Sequence, residues 1–231
     1  MSSGFFTNIP HMTNWKGDKL LQPFGPAVFQ THISPEFNKI LLDEGKTLSK
    51  DKDDFNFDLA GNLKTGRSYT YSKEFRKNCE PYIKQKVEDY LDLFIENWGA
   101  NGVYQSLEKP VSTEEGTKHI RGKLSLDSLW INFQRKNDHN PLHNHSGLFS
   151  FVIYLQVPQE IFSENADCNH QKAGCILFDY GEAIIPMMST TMTISPYNNL
   201  MMIFPAKLKH QVPSFWVDAE RISVSGNFNL I

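Results

Sequence analysis

At Leu124 the hydrophobic pattern of the chain changes its period. From there to Leu230, β-branched and aromatic residues alternate with polar ones in short runs separated by Pro, Gly and Asn clusters. A period of two puts successive side chains on opposite faces, so each run can bury one face as a strand and cannot do so as a helix. Strands are expected over Leu124 to Gln134, Leu148 to Val157, Gly174 to Phe178, Thr190 to Ile194, Asn199 to Phe204 and Arg221 to Leu230. Strands this numerous and this closely spaced require a sandwich or a barrel.

The segment before Leu124 reads as mostly helical. Ser34-Pro35 supplies an N-cap hydroxyl and a proline at the first helical position, and Phe37, Ile40 and Leu41 form one apolar stripe. That helix is expected to end near Gly45, and the polar stretch from Ser49 to Thr70 reads as a long surface loop. A second helix is expected to open at Pro81, to carry Ile83, Val87, Tyr90, Leu91, Phe94, Ile95 and Trp98 at helical spacing, and to stop at Gly99. Helices followed by strands make an α+β chain. It is read as one domain over residues 1–231, with a helical part over 1–123 packed on a β core over 124–231.

Composition narrows the partners. A chain of 231 residues with 40% hydrophobic residues can bury a sizeable core, and a net charge of −3 without a dense basic block argues against nucleic acid or an anionic membrane. No apolar run reaches the roughly 18 residues that span a bilayer, and Met1-Ser2-Ser3-Gly4-Phe5-Phe6 lacks the basic and apolar regions of a secretory signal, so a cytoplasmic protein is expected. Cys79, Cys168 and Cys175 lack a CxxC pair and read as free thiols.

The chemistry concentrates in Asn140-Pro141-Leu142-His143-Asn144-His145 and in Phe204-Pro205-Ala206-Lys207-Leu208-Lys209-His210. Residues two apart on an extended segment point the same way, so His143 and His145 can converge on one ion. Pairing His139 with His143 on a helix is disfavoured, because Asn140 precedes a proline. The His-x-His is therefore placed at the start of a strand. His210 can approach the same point from a neighbouring strand, which gives three protein ligands with open positions, the arrangement of a catalytic metal site. His11, His32, His119 and His170 read as ordinary surface or core histidines. Arg221 and Ser223 share one face of the last strand; a guanidinium there can take a carboxylate through two parallel hydrogen bonds. A structural pairing of Arg221 with Asp218 or Glu220 is the competing reading.

In order and spacing, Trp130-Ile131-Asn132, Asn140 to His145, Ser150 to Tyr154-Leu155, Phe204-Pro205 to His210 and Arg221-Ile222-Ser223 resemble the iron(II)- and 2-oxoglutarate-dependent oxygenase superfamily, in particular a branch found in marine bacteria and their phages. The resemblance covers Leu124 to Leu230. It implies a double-stranded β-helix, a jelly-roll or cupin-like barrel, here braced by the N-terminal helices. It further implies Fe(II) at His143 and His210, with Arg221 and Ser223 on the 2-oxoglutarate C5 carboxylate and Asn132 and Tyr154 as further polar contacts to that cosubstrate. The reaction implied is O2-dependent hydroxylation of an unactivated C–H bond of a small molecule or peptide, with release of succinate and CO2.

The sequence departs from the superfamily at His145, where most members carry Asp or Glu. Either His145 is the third metal ligand, or a carboxylate such as Asp138 or Asp179 completes the site, or water fills the position. Two other functions compete: a cupin-type three-histidine dioxygenase that uses no oxo acid, and a β-barrel that binds without catalysing. The loops Asn137 to Pro141, Gln159 to Ala173 and Tyr180 to Ser189 are expected to receive the substrate, with Phe162, Ile184, Ile185, Met187 and Met188 giving them apolar character.

Overall fold

The computed structural model describes residues 11–13, 18–21, 25–51, 63–98, 108–113, 116–166, 172–182 and 189–231. Among them are fourteen strands, two α-helices and a 3₁₀ segment. In chain order these are β1 (His11–Thr13), β2 (Lys19–Leu21), β3 (Val28–His32), α1 (Pro35–Asp51), β4 (Arg67–Thr70), α2 (Lys73–Trp98), β5 (Glu108–Thr113) and β6 (Gly116–Arg121). There follow β7 (Leu124–Gln134), β8 (Asn140–His143), β9 (Phe149–Gln156), the 3₁₀ segment (Gln159–Ala166), β10 (Ile176–Asp179), β11 (Thr191–Ile194), β12 (Leu200–Pro205), β13 (Lys209–Val212) and β14 (Arg221–Leu230).

The strands form an eight-stranded sheet in the order β1-β2-β3-β12-β9-β14-β7-β4, a four-stranded sheet in the order β11-β10-β13-β8, and the separate hairpin β5-β6. Antiparallel pairing runs throughout. The two larger sheets are the walls of a double-stranded β-helix, as the sequence led us to expect, and α1 and α2 cover the outer face of the larger one.

The alternation along each strand decides which wall a residue belongs to. Leu129, Ile131 and Phe133 of β7, Phe151, Ile153 and Leu155 of β9, Met201 and Ile203 of β12, and Ile222 and Val224 of β14 are buried in one cluster with Leu41, Ile83, Val87 and Tyr90 of the helices. The intervening residues face the space between the sheets, where Val152, Tyr154, Met202, Phe204, Phe178 and Val212 make a second cluster. Each fully buried side chain of this size contributes roughly 1.5–3 kcal/mol, so the period-two pattern fixes the register strongly. At Gly226 of β14 a Cβ would meet the Ser128 carbonyl and the Phe151 ring, and glycine lets the strand pass.

The helix boundaries differ from expectation for identifiable reasons. The α1 N-terminus is capped as expected, with Ser34 Oγ accepting the Phe37 N–H at 3.1 Å. The helix does not stop at Gly45. That glycine lies inside it, where a Cβ would collide with Ile131 Cδ1 and crowd the Tyr71 hydroxyl, so it serves close packing against β7. Helix α2 opens at Lys73, capped by Ser72 Oγ on the Phe75 N–H at 3.1 Å, and Pro81 lies within it. The expected stop at Gly99 lies outside the described residues. Tyr90 donates to the Ala27 carbonyl at 3.1 Å and Glu80 accepts the Leu126 N–H at 3.0 Å, which fasten α2 to β3's approach and to β7.

The part before Leu124 also contributes strands that its sequence did not reveal. Within the stretch read as a loop, β4 pairs with β7, and β3 pairs with β12 on the other side of the sheet. Cys79 and Cys175 are buried free thiols; Cys168 lies outside the described residues. No helix among the described residues is long and apolar enough to cross a membrane.

Candidate metal centre

Strand β8 is only four residues long, and the His-x-His lies at its end rather than its start. Asn140-Pro141 begins the strand because proline needs no ladder donor at an edge. His143 is its last residue and pairs directly with His210 of β13. Opposed residues of an antiparallel pair share a face, so both rings enter the space between the sheets. His145, just beyond the strand, donates its backbone N–H to the Ala206 carbonyl at 2.9 Å, which keeps the segment extended and returns its ring to the same side.

The three imidazoles converge. Their ring centroids are 4.3 Å apart for His143 and His210, 4.9 Å for His143 and His145, and 5.0 Å for His145 and His210. One ring nitrogen from each lies within 4.8 Å of the others. His143 Nδ1 contacts the Pro141 carbonyl at 2.7 Å and His210 Nδ1 the Leu208 carbonyl at 3.0 Å. A carbonyl can only accept, so each Nδ1 carries the proton and each Nε2 keeps its lone pair for a metal.

Burial lowers all three pKa values. It takes His145 to about 4, helped by the charge that His143 would carry, and His210 to about 3, again with His143 adding to it. His143 falls less, because its backbone contacts to Pro141 and His210 oppose the effect of burial. Neutral imidazoles are the ligating form. The donor set fits a divalent first-row metal with open positions.

Neither carboxylate considered from the sequence joins the cluster. Phe178 is the residue paired with His210 on β10, so Asp179, one residue on, faces outward and accepts hydrogen bonds from the Thr191 hydroxyl and from Gln211 Nε2. Asp138 is buried in the turn after β7, and its oxygens accept four backbone N–H groups.

The three histidines line a cavity that opens to solvent. Arg221, Ser223, Tyr154 and Asn132 all line it, together with Trp130, Asn140 and Leu63. Arg221 does not make the surface pair with Asp218 or Glu220 that was the competing reading. Glu220 pairs instead with Arg135 at 2.9 Å, and Arg221 turns inward. There its Nη1 donates to the Gly174 carbonyl at 2.6 Å and its Nη2 to Gln134 Oε1, while the buried Nε has no partner. Its guanidinium carbon lies 5.7 Å from the centre of the Tyr154 ring. Burial without a paired carboxylate lowers the guanidinium pKa from its ordinary value. A buried cation with an unused donor fits an incoming carboxylate.

Burial pushes the Tyr154 phenol up to about 12, so it stays a neutral donor. Asn132 Oδ1 accepts from Ser68 Oγ of β4 at 2.8 Å, which orients its amide nitrogen. The residues that the sequence did not reveal are Gln134 and Gly174, which hold Arg221. The inward alternation of Trp130, Asn132 and Gln134 carried a signal for the first; nothing local marked the second. Of the loop residues expected to receive substrate, Phe162 is packed against buried hydrophobic residues, and Ile184, Ile185, Met187 and Met188 lie outside the described residues.

Three comparisons bear on this geometry. Residues 128–227 match the model of a family described as "Putative 2OG-Fe(II) oxygenase". No curated protein matches the sequence. Among solved structures, a Pseudomonas putida prolyl-4-hydroxylase is similar with a TM-score of 0.53 at 12% identity, over 87% of this chain and 91% of that one. A Trichoplax adhaerens prolyl hydroxylase, in complex with a hypoxia inducible factor oxygen degradation domain peptide fragment, has a TM-score of 0.51 at 10% identity, over 89% and 83%. The collagen prolyl hydroxylase of Paramecium Bursaria Chlorella virus-1, in a 2-oxoglutarate complex, has a TM-score of 0.50 at 9% identity, over 87% and 94%. At these identities the likeness is one of fold.

Proposed function

We propose that this chain, a member through residues 128–227 of the Fe(II)- and 2-oxoglutarate-dependent oxygenase superfamily, is a hydroxylase that binds Fe(II) through His143, His145 and His210. The observation that carries the reading is the joint presence, in one cavity, of three convergent neutral imidazoles and a buried arginine with an unpartnered Nε. Fe(II) supplies the activation of O2, coupled to oxidative decarboxylation of 2-oxoglutarate to succinate and CO2, with the second oxygen atom delivered to a C–H bond of the substrate.

The chain's own residues divide the remaining work. Arg221 anchors the C5 carboxylate through charge-assisted hydrogen bonds, Ser223 adds a hydroxyl from the same face of β14, and the Tyr154 phenol donates from β9. Asn132 presents its amide from β7. Trp130, Phe204 and Val212 keep the walls apolar, which excludes water from the reacting carbon and strengthens the polar contacts that remain. The substrate is a small molecule or a peptide entering at the open mouth.

His145 also suits a three-histidine dioxygenase that uses no oxo acid, and turnover of 2-oxoglutarate separates the two. The test is O2-dependent formation of succinate from 2-oxoglutarate by the iron-loaded protein, screened with prolyl peptides and small metabolites. Succinate that tracks a substrate's hydroxylation supports the reading. Oxidation of a thiol substrate with 2-oxoglutarate untouched would replace it by the second.

A further inference from the structure

The turn between β7 and β8 holds a buried carboxylate that the histidine cluster does not use. Asp138, 0% exposed, accepts the backbone N–H groups of Lys64 at 2.7 Å and Thr65 at 3.1 Å on Oδ1, and of Gly66 at 2.8 Å and Arg135 at 2.9 Å on Oδ2. A Cβ at residue 66 would run into Asp138 Oδ2 and the Phe133 carbonyl, so glycine is what lets the segment approach. The residue next to this clamp, Leu63, lines the cavity.

The same turn reaches the cavity-lining Arg221 through one side chain. Gln134 Nε2 donates to the Asp138 carbonyl at 2.7 Å, and Gln134 Oε1 accepts from Arg221 Nη2. The first bond decides the second: with its nitrogen committed to a fixed carbonyl, the amide must turn its oxygen to the arginine. The acceptor offered to Arg221 is therefore neutral. A glutamate in that place would pair with the guanidinium and cancel its charge; glutamine orients it and leaves its attraction for an anion intact. Arg221 is thus tied through Gln134 to the backbone carbonyl of Asp138, and the side-chain carboxylate of the same residue holds residues 64–66.

We infer that Gln134 is a positioning residue, which holds Arg221 oriented and unneutralised for the incoming oxo acid and, through Asp138, couples that acid's binding to the seating of the Leu63 segment. The inference rests on the reading of Arg221 as the cosubstrate's anchor. Both sets of hydrogen bonds hold one residue, so a carboxylate that fixes Arg221 and Gln134 also restrains Asp138 and the amides seated on its side chain. Coupling of this kind is reciprocal between the two ends.

The experiment uses full-length protein loaded with Zn(II), with 2-oxoglutarate as the probe. Affinity is read by calorimetry, and amide exchange at Lys64, Thr65 and Gly66 by mass spectrometry. In the wild type, saturating 2-oxoglutarate should slow exchange at these amides at least threefold. Gln134→Glu should weaken 2-oxoglutarate at least thirtyfold with Zn(II) affinity unchanged. Gln134→Leu, which keeps bulk and adds no charge, should still bind 2-oxoglutarate when saturated, yet no longer protect residues 64–66. Equal affinity in wild type and Gln134→Glu, or no protection in the wild type on saturation, overturns the inference and leaves the functional reading standing. A wild type that binds Zn(II) but no 2-oxoglutarate overturns both.

Discussion

Replacing Arg221 by methionine removes a buried charge at nearly constant volume, and its effect can be worked from the contacts. The guanidinium donates to the Gly174 carbonyl and to Gln134 Oε1 and keeps Nε unused. Leaving those two acceptors unsatisfied costs about 1–3 kcal/mol each, whereas removing a buried cation that has no counter-charge returns several kcal/mol. The terms oppose each other, so Arg221→Met should fold. Binding has no such offset. Truncating one partner of a buried charge pair costs about 2–5 kcal/mol, and about 2.7 kcal/mol is a hundredfold in affinity. At 2-oxoglutarate one hundred times the wild-type Kd, ligand stabilises the wild type by about 2.7 kcal/mol and a hundredfold weaker variant by only about 0.4 kcal/mol. For a chain of 231 residues that is a Tm rise of about 5–10 °C against about 1 °C. Thermal unfolding of metal-loaded protein with and without 2-oxoglutarate measures both. An equal rise in the two proteins, or loss of metal along with 2-oxoglutarate from the variant, would refute the assignment of Arg221.

Three further expectations are independent of that one. His210→Ala and His145→Ala should each lower metal affinity at least tenfold, and His145→Asp should retain metal, since a carboxylate of similar reach replaces the imidazole; competition against a chelator distinguishes them. Pro81→Ala should restore a donor to the interior of α2 and raise stability by about 1–3 kcal/mol in urea unfolding, with no change in metal affinity. The metal-free protein should lose stability as pH falls from about 6.5, where an unfolded histidine protonates, toward the values near 4 and 3 of His145 and His210. In that window the unfolded chain binds more protons than the native one, so stability rises with pH and is complete above it. Urea midpoints between pH 7 and pH 4 read the slope, and a flat profile contradicts the burial of these rings.

Much of the barrel was legible because its strands bury one face each. Both ends of β7 and β14 follow from alternation alone, since Leu124, Leu126 and Ile222, Val224 declare the apolar face that the helices cover, and a shift of one residue would turn it away from them. The convergence of the histidines was legible for the same reason, with His143, His145 and His210 all on one side of extended segments. What stayed hidden depends on distant parts of the chain. Residues 67–70 carry no alternation and form β4 only because β7 offers them an edge. Gly45 looked like a helix stop and is a contact point for Ile131, and Pro81 looked like a helix start because the cap nine residues earlier, at Ser72, is a weaker local signal. Gln134 reads as an ordinary inward polar residue until the turn at Asp138 shows what fixes its amide.

The central claim is that one cavity holds both a metal and an oxo acid. Calorimetric titration of 2-oxoglutarate into the protein under anaerobic conditions, with Fe(II) bound and again after its removal by chelation, tests it most directly. The account predicts one equivalent bound to the iron-loaded protein and a large loss of affinity without iron. Stoichiometric iron with no binding of 2-oxoglutarate, or binding that iron does not affect, would contradict it.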